Sequence, residues 1–197
     1  FLIVAFKPPF LLVHDDGNNQ DTLQARINGY LQLNGNKYPA QAIHRIDYET
    51  SGLVLFCKHP FFQAYCDKNM EEHHIKKEYI ALVQGHTNYK NKKIISNIAR
   101  DRHNAKKMII HPNGKESISI FNTIKNYKDC SLIQVTILTG RKHQIRVQCA
   151  SLNHPILNDS LYGGKMTDDT GLLLQSHHIQ FNDVDITCPQ KKRFIRK

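Results

Sequence analysis

No run of apolar residues in this chain approaches the length that crosses a bilayer. The opening FLIVAF gives way at once to Lys7-Pro8-Pro9, so it reads as a strand and not as a signal peptide. No C-x-x-C pair occurs: Cys57, Cys66, Cys130, Cys149 and Cys188 are scattered and odd in number. That pattern argues against a disulfide framework and against a zinc site, and points to the cytoplasm. No H-E-x-x-H occurs either, although histidines are plentiful. The doublets His73-His74 and His177-His178 lack a carboxylate or cysteine at helical ligand spacing. Adjacent residues on a strand point to opposite faces, so such doublets rarely chelate. Neither a metal nor a cofactor is expected.

Acidic residues are in short supply. The 17 Asp and Glu against 27 Lys and Arg leave a formal charge of +10, which favours polyanionic partners, nucleic acid before anionic membrane. A solvated basic surface would give the same balance. At 197 residues and 40% hydrophobic, the chain suits one sizeable domain spanning 1–197, expected to be a monomer. Phe1 stands where an initiator Met is usual, so further residues are expected before it.

Residues 2–6 and 10–14 read as short strands broken by Pro8-Pro9. Asp21-Thr22 starts a helix with Leu23, Ile27, Tyr30 and Leu31 at helical spacing. Residues 33–41 read as a loop, 52–57 as an apolar strand, and Pro60 opens a helix to about Met70. Residues 77–84 alternate as a strand, with Tyr79, Ala81 and Val83 on one face. Residues 86–115 are polar. Two strands follow at 117–125 and 131–138, then a helix at 141–152, a strand at 172–181 and the basic tail KKRFIRK. Many strands, few helices and no regular alternation predict an α+β fold with a mixed, largely antiparallel sheet and flanking helices.

Four constellations could carry chemistry. In His44-Arg45-Ile46-Asp47-Tyr48-Glu49-Thr50-Ser51-Gly52 a basic pair and a carboxylate sit in a polar loop that leads into a buried strand. Catalytic groups are often placed this way. A cap in which Asp47 bonds the N–H of Glu49 or Thr50 fits the same residues. In Gly140-Arg141-Lys142-His143-Gln144-Ile145-Arg146 the basic groups crowd the start of a helix, against its macrodipole. Such a conflict points to an outside anion or a buried carboxylate; a solvated basic face is the plain alternative. Lys76-Lys77-Glu78-Tyr79 sets cations beside an aromatic, suited to phosphate contact and base stacking, or to a core tyrosine. Asp159, in the loop after His154-Pro155, is a second candidate carboxylate. Two carboxylates also suit a glycosidase, but the flanking cations disfavour an uncharged sugar polymer.

Together these segments resemble the RluA-type family of RNA pseudouridine synthases. HRIDYETSG is similar to the family's H-R-L-D-x-x-T-S-G, and KEYIALVQG to K-x-Y-x-A-x-V-x-G. TGRKHQIRVQCASLNHPILNDSLYG is similar to T-G-R-x-H-Q-I-R-V-H-x-x-x-x-G-H-P-I-x-G-D-x-x-Y-G. KPPFLLVH resembles the N-terminal K-P-x-G segment, and LLLQSHHIQF the closing L-L-L-H-A strand. The motifs fall in family order over nearly the whole chain. Phe10 and Asn158 stand where glycine is usual, Cys149 replaces a His, and Gln175-Ser176 replaces His-Ala. Asn tolerates the left-handed conformation that a turn glycine supplies.

The resemblance implies isomerisation of uridine to pseudouridine in structured RNA, ribosomal or transfer. The base leaves the stack, the N1–C1′ bond breaks, and the uracil rejoins through C5. Asp47 is the implied catalytic carboxylate, as nucleophile at C1′ or base at C2′. Tyr79 would lie against the uracil, and Arg146 would pair with Asp47. Arg45, Thr50, Arg141, Lys142, His143 and Gln144 are the implied substrate contacts, with Arg45 filling the gap left by the flipped nucleotide. No S4-like RNA-binding domain is recognised, so the catalytic domain is expected to supply most of the binding. The alternatives are a non-catalytic RNA-binding protein on this fold, which would not need Asp47, and a histidine-based ribonuclease.

Overall fold

The computed structural model describes residues 1–17, 21–169, 171–188 and 194–195. They gather into two compact units, Phe1–Lys76 with Ser176–Cys188, and Lys77–Gln175 with the described part of Pro189–Lys197. The class is α+β, with largely antiparallel strands and, among the described residues, three helices. None of those helices is long and apolar enough to cross a membrane. The cations of the terminal KKRFIRK lie outside the described residues.

The first unit is organised around strand β3 (Ser51–Cys57), buried at every position. A strand covered on both faces has no polar side, which is why GLVLFC reads as a continuous apolar run. Strand β1 (Leu2–Lys7) pairs with it antiparallel, from Leu2 opposite Cys57 to Lys7 opposite Gly52, and β2 (Gln41–Ala42) pairs near its far end. Helix α1 (Leu23–Leu33) starts where Thr22 accepts from the Ala25 N–H at 3.1 Å. It buries Leu23, Ile27 and Leu31, while Tyr30 lies off the stripe and is exposed, contrary to the sequence reading. Helix α2 (Pro60–Glu71) opens on Pro60 as expected. Leu53, Leu55, Cys66, Ile75, Ile179 and Phe181 form the core beneath.

Residues 10–14 are not a strand. Pro9 and a left-handed Phe10 (φ 63°) turn the chain away from the sheet, and Leu12 keeps one isolated bridge, to Thr22.

The second unit holds β4 (Lys76–Gln84) from its second residue on, β5 (Lys92–Arg100), β6 (Met108–Ile110), β7 (Lys115–Asn126) and β8 (Cys130–Ile137), in the order β4-β8-β7-β5-β6. The polar stretch 86–115 thus contains two strands that the sequence reading left out. Only Ile98 of β5 is buried, so no apolar alternation marks it; its pairing with β7 supplies the order instead. Helix α3 (Gln144–Ser151) is shorter than the expected 141–152. Arg141 and Lys142 lie in a turn before it, and His143, at φ 55°, is the left-handed residue at its start. Gln148 fixes its polar side to the sheet: its Oε1 accepts from Ser119 Oγ at 2.7 Å, and its Nε2 donates to Ser96 Oγ at 3.0 Å. In the first unit again, Ser176 begins the share of β9 (Leu174–Phe181) that lies beside β3, and β10 (Val184–Thr187), absent from the sequence reading, pairs with β9. All five cysteines are buried, and none forms a disulfide.

Where β3 begins, the backbone of Gly52 (φ +121°) runs so close to β9 that an added Cβ would sit 2.2 Å from the Ser176 carbonyl oxygen. Both the conformation and the space demand glycine. Gly52→Ala is expected to destabilise the protein by about 3 kcal/mol or more, read as a lowered urea midpoint. An unchanged midpoint would show that β9 can yield at this point.

Candidate active site

The expected site residues fall on both units: Arg45, Asp47 and Thr50 on the first, Tyr79 and residues 141–146 on the second.

In the first unit the Asp47 loop is closed by its own backbone. The Thr50 N–H donates to the Asp47 carbonyl at 3.1 Å, so this donor is satisfied without the carboxylate. His44 is buried, and its Nε2 accepts from the Leu55 N–H at 3.1 Å, which joins the start of the motif to β3. The Thr50 and Ser51 hydroxyls are buried and meet no hydrogen-bond partner among the described residues. Thr50, expected as a substrate contact, stands in a turn braced by its main chain. Asp47 is half-buried, while Arg45 and Tyr48 are exposed. Arg45 Nη1 lies 3.4 Å from His14 Nε2.

Lys7 holds this loop from behind. Its side chain is fully buried, at the end of β1 opposite Gly52. The ammonium donates to three carbonyls, Pro8 at 2.9 Å, Leu11 at 2.7 Å and Tyr48 at 3.1 Å. A buried cation is tolerated only when its donors are satisfied. Here that requirement ties the loop of residues 8–11 to the residue after Asp47. Burial pushes the Lys7 pKa down to about 8, while the charges of Asp47 and Glu49 pull it upward.

In the second unit Tyr79 lies on β4 opposite Val135 and is buried. Lys77, two residues earlier, is also buried, and burial lowers its pKa to about 8. Arg146 is 2% exposed and meets Asp159 fork to fork, Nε to Oδ2 and Nη2 to Oδ1, both at 2.8 Å. The sequence offers Asp47 as the carboxylate for Arg146; the one that meets it within this unit is Asp159. Asp159 is a candidate carboxylate in the sequence as well. Nothing local linked the two, because the partners are thirteen residues apart on a helix and a loop.

The Tyr162 ring lies under the Arg146 guanidinium, 5.2 Å from its centroid. Its hydroxyl accepts the Met108 N–H at 2.9 Å and bonds His143 Nδ1 at 2.8 Å. Gln144 is committed internally: its Oε1 accepts from Thr139 Oγ1 and the Arg141 N–H, and its Nε2 donates to Ser119 Oγ and the Ile118 carbonyl. His143 and Gln144, expected to touch substrate, are thus buried and hold the turn that displays Arg141 and Lys142, both exposed. These two cations, with Arg100 and Lys115, line a groove of about 470 Å³. Asn158 adopts φ 64°, the left-handed geometry expected of a glycine replacement, and its amide donates to Thr167 Oγ1 and to the carbonyls of Asp169 and Gly171. Among the described residues no cluster of three His, Cys, Asp or Glu is placed to hold a metal.

Two stability tests follow from these buried charges. Lys7→Met takes the ammonium away from the carbonyls of Pro8, Leu11 and Tyr48, of which the last keeps the Phe10 N–H, and is expected to cost about 2–4 kcal/mol at neutral pH. Below pH 8 the folded and unfolded chains both carry the Lys7 proton. Between about 8 and the ordinary 10.5 the unfolded chain binds more, so stability from this site rises with pH. The gap between wild type and Lys7→Met should therefore widen from pH 8 upward in urea titrations. A narrowing gap would mean that the carbonyls hold the ammonium strongly enough to cancel the effect of burial. Separately, Arg146→Met should cost about 3–5 kcal/mol by orphaning Asp159, against about 0.5 kcal/mol or less for exposed Arg141→Met. Equal losses would contradict the assigned burial.

A sequence model described as RNA pseudouridylate synthase matches residues 2–151. An RNA pseudouridine synthase of Bacillus subtilis is 35% identical over 166 residues, 83% of this chain and 55% of that protein. One of Mycoplasma genitalium is 31% identical over 206 residues, covering 100% of this chain and 66% of that protein. Ribosomal large subunit pseudouridine synthase C of Buchnera aphidicola is 36% identical over 176 residues, 85% of this chain and 53% of that protein. The chain thus spans about half to two thirds of the length of these curated relatives. Human RNA Pseudouridylate Synthase Domain Containing 4 shares the fold, with a TM-score of 0.79 at 18% identity over 98% of this chain and 87% of that one.

Proposed function

Since the chain belongs to the RNA pseudouridylate synthase family, we propose that it converts uridine to pseudouridine in RNA with Asp47 as the catalytic carboxylate. The observation that carries this reading is the Asp47 loop itself. A partly exposed carboxylate sits in a turn whose main chain is closed at Thr50 and fastened at Tyr48 by the buried Lys7 ammonium. Rigid support of this kind is what a group needs to act at one atom of a substrate.

In this proposal the target uridine leaves its stack and the N1–C1′ bond breaks. Asp47 acts as nucleophile at C1′ or as base at C2′, and the uracil, turned within the site, rejoins C1′ through C5. The C5 proton is released, and Tyr79 lies against the uracil during the exchange. Arg146 supplies a fixed positive charge, oriented by Asp159 and Tyr162. Arg45 fills the space left by the flipped nucleotide. Arg141 and Lys142 grip phosphates along their groove, and His143 and Gln144 serve by keeping that turn in shape. The name of the Buchnera relative makes large-subunit ribosomal RNA the first substrate to test, with transfer RNA second.

The test is tritium release from C5-labelled uridine in RNA. Wild type should release label without shortening the RNA. Asp47→Asn keeps the shape and removes the charge, so turnover should fall on the order of 10⁴-fold or more, with RNA affinity nearly unchanged. Substantial residual turnover in Asp47→Asn would remove Asp47 from the chemistry. RNA binding by the wild type without any release would leave a binding protein, and chain cleavage a nuclease.

A further inference from the structure

Phe10 is an aromatic residue in a conformation that suits glycine. It holds φ at 63°, yet the residue remains 49% exposed. A bulky residue at positive φ is a backbone outlier, and strain of this kind persists where the surroundings enforce it. Burial of the ring does not account for it. The enforcing contacts are visible. The Phe10 N–H donates to the Tyr48 carbonyl at 2.8 Å, and the Lys7 ammonium reaches the same oxygen at 3.1 Å. One carbonyl therefore fastens both the residue after Asp47 and the strained phenylalanine.

Their rings meet edge to face, with centroids 5.8 Å apart at 65°. Tyr48 is 46% exposed. An edge-to-face pair leaves ring faces uncovered. A rigid, exposed aromatic pair next to a carboxylate, with exposed Arg45 in the same loop, is a poor way to stabilise a fold. It is the composition that holds an unpaired nucleobase: a π-face for the base and a cation for the phosphate.

We infer that Phe10 and Tyr48 form a stacking platform for an unpaired base of the RNA substrate, next to the uridine offered to Asp47. The inference rests on the proposed RNA chemistry and extends it to how a flanking nucleotide is held. The ring faces take any base, so the platform contributes affinity and position rather than base identity.

The test compares wild type with Phe10→Gly, Phe10→Leu and Phe10→Tyr. The probes are fluorescein-labelled oligouridylate and an abasic oligoribonucleotide of the same length and charge, read by anisotropy at fixed salt. Phe10→Gly removes the ring and relieves the backbone, so its thermal midpoint should equal or exceed that of wild type. Both Phe10→Gly and Phe10→Leu should weaken oligouridylate binding about fivefold or more, while Phe10→Tyr stays within about twofold of wild type. Affinity for the abasic probe should not change in any variant. Equal oligouridylate affinity in all four proteins overturns the platform and leaves the enzymatic reading standing. Equal losses on both probes also overturn it, since the ring would then act through the loop and not through a base. Wild type that binds neither probe and releases no tritium overturns the platform together with the reading beneath it.

Discussion

A lysine with no exposed surface must place every N–H it carries. Lys7 places them on the carbonyls of Pro8, Leu11 and Tyr48. The first two belong to the turn that leaves β1, and the third to the loop that enters β3. The strand pair would align these segments to within the freedom of two loops; the ammonium removes much of that freedom. Its cost is desolvation, visible in the lowered pKa, and the nearby charges of Asp47 and Glu49 offset part of it. The loop that carries the candidate carboxylate is thus held by an interaction that also depends electrostatically on that carboxylate.

The second unit solves a similar problem with an ion pair. Arg146 lies on a helix whose residues 144–149 are all buried, an unusual place for a guanidinium. Asp159 matches its fork, and Tyr162 covers its face. Tyr162 then spends its hydroxyl on Met108 and His143, so one ring links β6, the turn before α3 and the loop after it. Gln144 and Gln148 complete the pattern by meeting hydroxyls and carbonyls of β7. A helix that presents this many polar groups to a sheet has few alternative registers, because a shifted one would leave buried donors unpaired.

The cations around these loops therefore divide, among the described residues, into two sets. Lys7 and Arg146 are buried and committed to internal oxygens, so they shape the protein. Arg45, Arg141 and Lys142 are exposed and supported from beneath by residues that face inward. The net charge counts both sets alike, but only the second is free to meet a polyanion. His143 and Gln144 show how closely the sets can alternate along the chain, since they sit between Lys142 and Arg146 and yet are buried.

Much of this was determined by local sequence. The continuous apolar run of β3, the Thr22 cap and the Pro60 helix start each express a period or a turn preference, and each is found; β4 is found as a strand, but residues 79–83 are buried on both faces rather than in alternation. The order of motifs around Asp47 and Arg146 identified the family. Asn158 could be read as a left-handed replacement for glycine, because the preference belongs to the residue itself. Other features depend on partners distant in the chain, and only the tertiary structure decided them. Strands β5 and β6 bury almost nothing on their own and exist through pairing with β7. The stretch at 10–14 has strand composition, but Pro9 and the left-handed Phe10 turn it away from the sheet. Asp159 as the partner of Arg146, and three carbonyls as the partners of Lys7, are choices among many oxygens that a one-dimensional pattern does not rank. A hydrogen bond is set by where folding brings two atoms, while a helix start or a buried strand is set by the residues that form it.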